Sequence, residues 1–129
     1  MGQIKIFGLK KVLGPHRDKV SDVVHTCLVD IFKIPVDKKF HRFILLEEED
    51  FYFPADRTEK YTIIELSIFE GRSVEAKKEL VRILYSRFQE QLDISGTDLE
   101  VTIFETPRYN WGIRGMPADE LTLSYKVNL

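Results

Sequence analysis

The chain has 129 residues, enough for one domain with a sizeable core. Its 43% hydrophobic and 31% charged residues carry a formal net charge of −2 with acids and bases interspersed, so neither a phosphate-tracking surface nor a polybasic membrane anchor is present. Cys27 is the only cysteine, which rules out an internal disulfide, and no apolar run is long enough to span a bilayer. A cytoplasmic protein with no nucleic-acid or membrane partner is expected.

In chain order, Gly2-Gln3-Ile4-Lys5-Ile6-Phe7-Gly8-Leu9 reads as a first strand. Only Met1 precedes it, and a second residue as small as glycine favours removal of that methionine. The strand then starts on a free α-amine, whose ordinary pKa of about 7.7–8.0 suits a general base or an imine-forming nucleophile. The plain alternative is an idle, frayed terminus.

Gly14 as N-cap and Pro15 at the first helical position predict a helix start. Val20, Val23, Val24, Cys27, Leu28, Ile31 and Phe32 recur at three- and four-residue steps, so the helix runs to about Lys33 and stops before Pro35. Cys27 lies on that apolar stripe and reads as a small core residue rather than a nucleophile. Phe40 to Leu46 is a second strand, and Glu47-Glu48-Glu49-Asp50 a solvated turn. The aromatic segment Phe51-Tyr52-Phe53-Pro54 is expected as a loop or small hairpin packed on the body.

Tyr61 to Phe69 is the third strand. Ser73 is the expected N-cap of a second helix whose stripe is Ala76, Leu80, Ile83, Leu84, Phe88 and Leu92. Ile94-Ser95-Gly96 ends it, and Leu99 to Phe104 is the fourth strand. A turn-rich stretch from Thr106 to Pro117 holds the only tryptophan, Trp111. Leu121, Leu123, Tyr125, Val127 and Leu129 then alternate with polar residues as a half-buried strand over about 121–129.

A shift of 60 residues lays Ile4 on Ile64, Ile6 on Leu66, Val20 on Leu80, Val24 on Leu84, Leu28 on Phe88 and Ile34 on Ile94 without a gap. Chance matching of amphipathic stripes is the competing explanation. Taken as a repeat, the pattern gives two β-α-β units, about 2–47 and about 61–106, within a single domain 1–129. Each is long enough for the right-handed crossover of parallel strands. The fold class expected is α/β (α+β by some schemes), with a four-stranded sheet and two helices on one face. Apolar residues occupy both parities in several strands, as at Ile6 and Phe7 or Ile63 and Ile64. Strands of that kind are buried on both faces, so the face without helices is expected to pack on copies of the chain.

A strand that starts on an amine, a repeated β-α-β unit and a self-associating sheet together resemble the tautomerase superfamily, the fold of 4-oxalocrotonate tautomerase and MIF. The most specific pieces are Leu28-Val29-Asp30-Ile31-Phe32-Lys33-Ile34-Pro35, Gly71-Arg72-Ser73 and Asn110-Trp111-Gly112-Ile113-Arg114-Gly115. They are similar to malonate semialdehyde decarboxylase-like chains, while Asp50-Phe51-Tyr52-Phe53-Pro54-Ala55-Asp56-Arg57 looks like an uncharacterised tautomerase-like branch. The resemblance implies a homotrimer with sites at subunit boundaries, no cofactor, and a small carboxylate substrate. It places Gly2 where the family has its catalytic amino-terminal proline. It makes Arg72 a substrate-binding residue and Trp111 with Ile113 the apolar wall. Departures are clear: Glu70 replaces a second arginine, and the decarboxylase's catalytic aspartate falls on Lys38, with Asp37 adjacent.

Two functions follow. One is a tautomerase acting on a small enolisable keto acid through the amine. The other is a catalytically weak or inactive trimer that binds a carboxylate or a protein. A ferredoxin-like ligand-binding domain fits the repeat less well. His16, His25 and His41 are not spaced as metal ligands, His25 is expected to be structural, and nothing in the spacing requires His41-Arg42 to face a pocket.

Overall fold

The computed structural model describes residues 2–122, 126 and 127. Its main sheet contains β1 (Gly2–Leu9), β2 (His41–Leu46), β3 (Thr62–Phe69) and β4 (Leu99–Thr106), in the order β2-β1-β3-β4. β1 pairs parallel with β2 and β3 parallel with β4, while β1 and β3 run antiparallel at the centre. The crossovers are α2 (Arg17–Phe32) and α3 (Val74–Leu92), packed side by side on one face.

The 60-residue repeat governs the register. Ile4 pairs with His41 and Ile64 with Val101, a spacing of 37 in each half (41 − 4 and 101 − 64). The helices end alike, on left-handed residues sixty apart: Lys33 at φ 56° and Asp93 at φ 55°. Beyond them, Ile34 N–H donates to Leu28 O at 3.5 Å and Ile94 N–H to Phe88 O at 3.1 Å. Both contacts close the last turn over otherwise unpaired carbonyls. At the other end of α3, Ser73 Oγ accepts from Ala76 N–H at 3.1 Å, as expected of its N-cap.

The main core lies between helices and sheet. Ile4, Ile6, Ile64, Leu66 and Ile68 meet the helical stripe Val20, Val24, Leu28, Leu80, Leu84 and Phe88. Each fully buried aliphatic or aromatic side chain contributes about 1.5–3 kcal/mol by leaving water. The opposite parity carries Phe7, Ile44, Leu46 and Ile63, all half-buried, and Phe104, 48% exposed. A second, smaller core on that side gathers Phe69, Ala118 and Val127 with Trp111 and Ile113.

The start of the first helix differs from expectation. Gly14 is helical (φ −49°, ψ −52°) rather than an N-cap, because the chain already turns helical at α1 (Lys10–Leu13). Pro15 has no N–H to donate backwards, and the backbone tightens to a 3-10 turn over Gly14–His16 before α2 begins. Leu13 therefore packs against Gly8, where an added Cβ would come within 2.3 Å of its Cδ1. The segment after β2 is a 3-10 turn (Glu48–Asp50) followed by a loop, with Phe51 and Phe53 5.6 and 5.5 Å from the Tyr61 ring. Of the strand expected over about 121–129, Leu121, Thr122, Lys126 and Val127 are described outside any strand, and the remaining positions lie outside the described residues.

Candidate active site

Parallel pairing brings the start of β2 beside the start of β1: Ile4 N–H donates to Phe40 O at 3.0 Å. Antiparallel pairing places Gly2 opposite Ile68, so the end of β3 is the other neighbour. The stretch after β4 folds back over this corner. A 3-10 turn over Arg108–Asn110 leads into the hairpin β5 (Gly112–Ile113) and β6 (Met116–Pro117). Its two-residue turn has Arg114 and Gly115 at φ 54° and 81°, as a type I′ connection requires. Ala118 N–H donates to Trp111 O at 2.8 Å, and Arg108 Nη2 donates to Ala118 O and Leu121 O at 3.3 and 3.0 Å. The Trp111 ring meets Phe69 edge-on at 4.7 Å.

These elements enclose a cavity of about 460 Å³. Gly2, Trp111 and Ile113 all line it, so three of the four residues singled out from the sequence share one space. Arg72 is not among the described residues that line it. Its side chain is 4% exposed, with the guanidinium 4.4 Å from the Phe32 ring centre and Nη1 donating to Phe69 O at 3.3 Å. Nε and Nη2 are buried without a partner, and burial pushes the guanidinium down to about 10, so it stays charged at neutral pH.

The cavity also takes in residues that periodicity does not single out: Gln3, Lys39, Phe40, His41 and Arg42. The usable signal was the repeat itself, because a spacing of 37 sets residues 39–42 beside residues 2–5. His41 Nδ1 shares a hydrogen bond of 2.8 Å with Ser21 Oγ, and its Nε2 is buried without a partner. Burial, reinforced by His25 and Lys39, pushes His41 down to about 4 and keeps the ring neutral at pH 7. His25 is a structural residue: its Nε2 donates to Val36 O at 2.7 Å, and its ring stands edge-on to His41 at 5.8 Å.

The repeat-related corner is closed. Subtracting 60 turns Trp111 and Ile113 into Phe51 and Phe53. The turns correspond too: Trp111 N–H donates to Arg108 O at 3.2 Å, and Phe51 N–H to Glu48 O at 3.4 Å. At the Phe51 corner the Tyr61 ring fills the space between the two phenylalanines, 7% exposed and with Arg57 5.6 Å from its centre. Thr58 seals this loop by donating from N–H and Oγ1 to the buried Asp98 carboxylate at 2.8 and 2.5 Å.

Burial pushes the Cys27 thiol up to about 11, which leaves it a poor nucleophile. Among the described residues no group of three His, Cys, Asp or Glu side chains is placed to hold a metal ion, and no helix is long and apolar enough to cross a membrane.

The family model described as a tautomerase enzyme matches residues 38–114. The probable tautomerase YusQ of Bacillus subtilis (strain 168) is 24% identical over 98 residues, covering 72% of this chain and 77% of that protein. FG41 malonate semialdehyde decarboxylase inhibited by 3-bromopropiolate superposes with a TM-score of 0.80 at 22% identity, covering 94% of this chain and 98% of that one. R7 fused 4-OT, an asymmetric trimer, gives a TM-score of 0.79 at 18% identity over 92% and 97%.

Proposed function

The chain belongs to the tautomerase family, and from that premise we propose that it tautomerises a small enolisable 2-oxo acid through the α-amine of Gly2. The observation that carries this reading is the meeting of Gly2 with Trp111 and Ile113 in a single cavity. In the ketonising direction the amine lone pair takes the enol O–H proton, and the released electron pair becomes the C=O π bond. The C=C pair then takes a proton from the ammonium at carbon 3, and the amine is returned as it began. A group with an ordinary pKa of about 7.7–8.0 holds both protonation states near neutral pH, and an apolar wall favours the neutral, basic one.

The assembly we propose is a homotrimer through the sheet face that lacks helices. Phe7, Ile44, Leu46, Ile63 and Phe104 stand there beside Lys5, Arg42 and Glu65. Covering those side chains with a copy of the chain removes apolar surface from water.

Binding without turnover is the second reading. One observation favours it: Arg72 is held among Phe32 and Phe69 rather than in the cavity lining.

Intact-mass measurement and turnover of the enol of phenylpyruvate, before and after carbamylation of the α-amine, test both. The amine mechanism expects a mass without methionine and turnover that carbamylation abolishes. Turnover that survives carbamylation removes the mechanism. A retained methionine with carboxylate binding and no turnover leaves the second reading standing.

A further inference from the structure

Trp111 is held at both of its backbone groups, and Arg108 stands behind each. Trp111 N–H donates to Arg108 O at 3.2 Å, which closes the 3-10 turn Arg108–Asn110. Trp111 O accepts from Ala118 N–H at 2.8 Å, and Ala118 O in turn accepts from Arg108 Nη2 at 3.3 Å. The same Nη2 donates to Leu121 O at 3.0 Å, so the guanidinium grips the short turn Ala118–Glu120 at both ends. Its central carbon lies 5.8 Å from the centre of the Phe69 ring, the ring that Trp111 meets edge-on at 4.7 Å.

The repeat shows that this side chain is not what forms the turn. Glu48 is the counterpart of Arg108 sixty residues earlier. There Phe51 N–H closes the same turn on Glu48 O at 3.4 Å, while the Glu48 carboxylate reaches away to Lys11. The Arg108 guanidinium instead donates to carbonyl oxygens, although Glu70 and Asp119 line the same surface groove. A planar guanidinium can hold acceptors and rest against an aromatic ring at once.

We propose that Arg108 is the positioning residue of the cavity wall: it fixes Trp111 against Phe69 and so sets how well an aromatic substrate fits. It is not among the described residues that line the cavity, and it acts through the tryptophan rather than on substrate or amine. The proposal rests on reading the cavity as the substrate site.

Trp111 is the only tryptophan, so quenching of its fluorescence by acrylamide reports on its placement. The measurements are that quenching, together with kcat and KM for the enol of phenylpyruvate. They are made on the full-length protein, on Arg108→Met, Arg108→Lys and Trp111→Ala, and on the double variant Arg108→Met/Trp111→Ala. Arg108→Met should raise KM by about 3- to 10-fold, the scale of one net hydrogen bond, and leave kcat within about twofold. It should also make Trp111 easier to quench. Arg108→Lys, which keeps a charged donor, should recover most of both losses. With alanine at 111, Arg108→Met should change KM by less than about twofold, because the two residues act as one unit. The same comparison made with Arg108→Gln, shorter and uncharged, keeps the test decisive if Arg108→Met folds poorly.

Unchanged KM and quenching in folded Arg108→Met and Arg108→Gln overturn the proposal. So does a loss confined to kcat, or a rise in KM that persists undiminished when residue 111 is alanine, since neither passes through the ring. Failure of the tautomerase reading looks different. Easier quenching in Arg108→Met, with no enol turnover by the unaltered protein, removes that reading and keeps Arg108 as the residue that places Trp111.

Discussion

Lys5 and Glu65 stand directly opposite each other across β1 and β3, and they are also sixty positions apart in the chain. A residue and its own repeat counterpart can pair only where an internal two-fold axis passes between them. That axis relates the open corner at Gly2 to the corner at Thr62, which Tyr61, Phe51 and Phe53 fill. The protein is therefore a symmetric frame in which an aromatic ring fills one of two repeat-related corners.

The first prediction concerns the close approach that shapes the entry to α1. Gly8→Ala places a methyl group within 2.3 Å of Leu13 Cδ1 and 2.9 Å of its Cγ. Leu13 is buried and belongs to the main core, so a shift of its side chain disturbs packed neighbours. Overpacking of this kind costs about 1–3 kcal/mol. A urea midpoint unchanged from that of the parent protein would show that Leu13 yields to the methyl group without cost.

At Gly2 the surroundings are permissive, since a Cβ would meet Ile68 Cγ2 at 3.5 Å and Ile4 Cδ1 at 3.7 Å. Gly2→Ala should leave enol turnover within a few-fold, while Gly2→Pro supplies a rigid secondary amine and should raise kcat by about tenfold or more. Mass spectrometry must first establish that methionine is absent from each variant. Should proline lower turnover in a processed, folded protein, the amine is not the proton carrier.

His41 makes stability depend on pH in one direction. Its folded pKa, about 4, lies below the ordinary value of 6.5, so folding favours the neutral ring. The resulting stabilisation is complete above about pH 6.5 and is lost as pH falls towards about 4, by up to about 3 kcal/mol. His41→Gln should flatten the denaturation profile across that window relative to the parent protein. Parallel profiles for the two would remove His41 as the cause.

Trp111 tests the cavity wall. Trp111→Ala opens the space above Phe69 and should raise KM for an aromatic enol at least tenfold, the scale of a lost aromatic contact. Trp111→Phe should recover most of the loss. A KM that the alanine variant leaves untouched would mean substrate sits elsewhere.

Assembly is tested on the other sheet face. Phe104 is 48% exposed in the isolated chain, so Phe104→Glu can be tolerated by a lone subunit. Burying an unpaired carboxylate between copies is costly, and light scattering should find the variant shifted towards smaller species. An unaltered molar mass would place the interface off this face.

Much of this was legible in the residues themselves. Apolar periodicity located every main strand and both long helices, Ser73 marked its helix start, and the gapless 60-residue shift implied a sheet whose halves share one register. These are local or repeated patterns, and an unaided chain expresses them. Gly14-Pro15 misled because a helix-start signature was overridden by a turn already begun at Lys10, driven by Leu13 packing on Gly8. Which polar side chains meet at Gly2 is a different kind of question. Residues 39–42 come there through a parallel pairing with residues some 37 positions away, Trp111 through a loop that folds back onto Phe69, and Arg72 is instead buried with its guanidinium over Phe32. Sequence alone determined the frame, since spacing of apolar residues decides what can be buried. Only the tertiary structure decided which charges face the cavity, because that depends on long-range pairing and on competition for burial that no local pattern records.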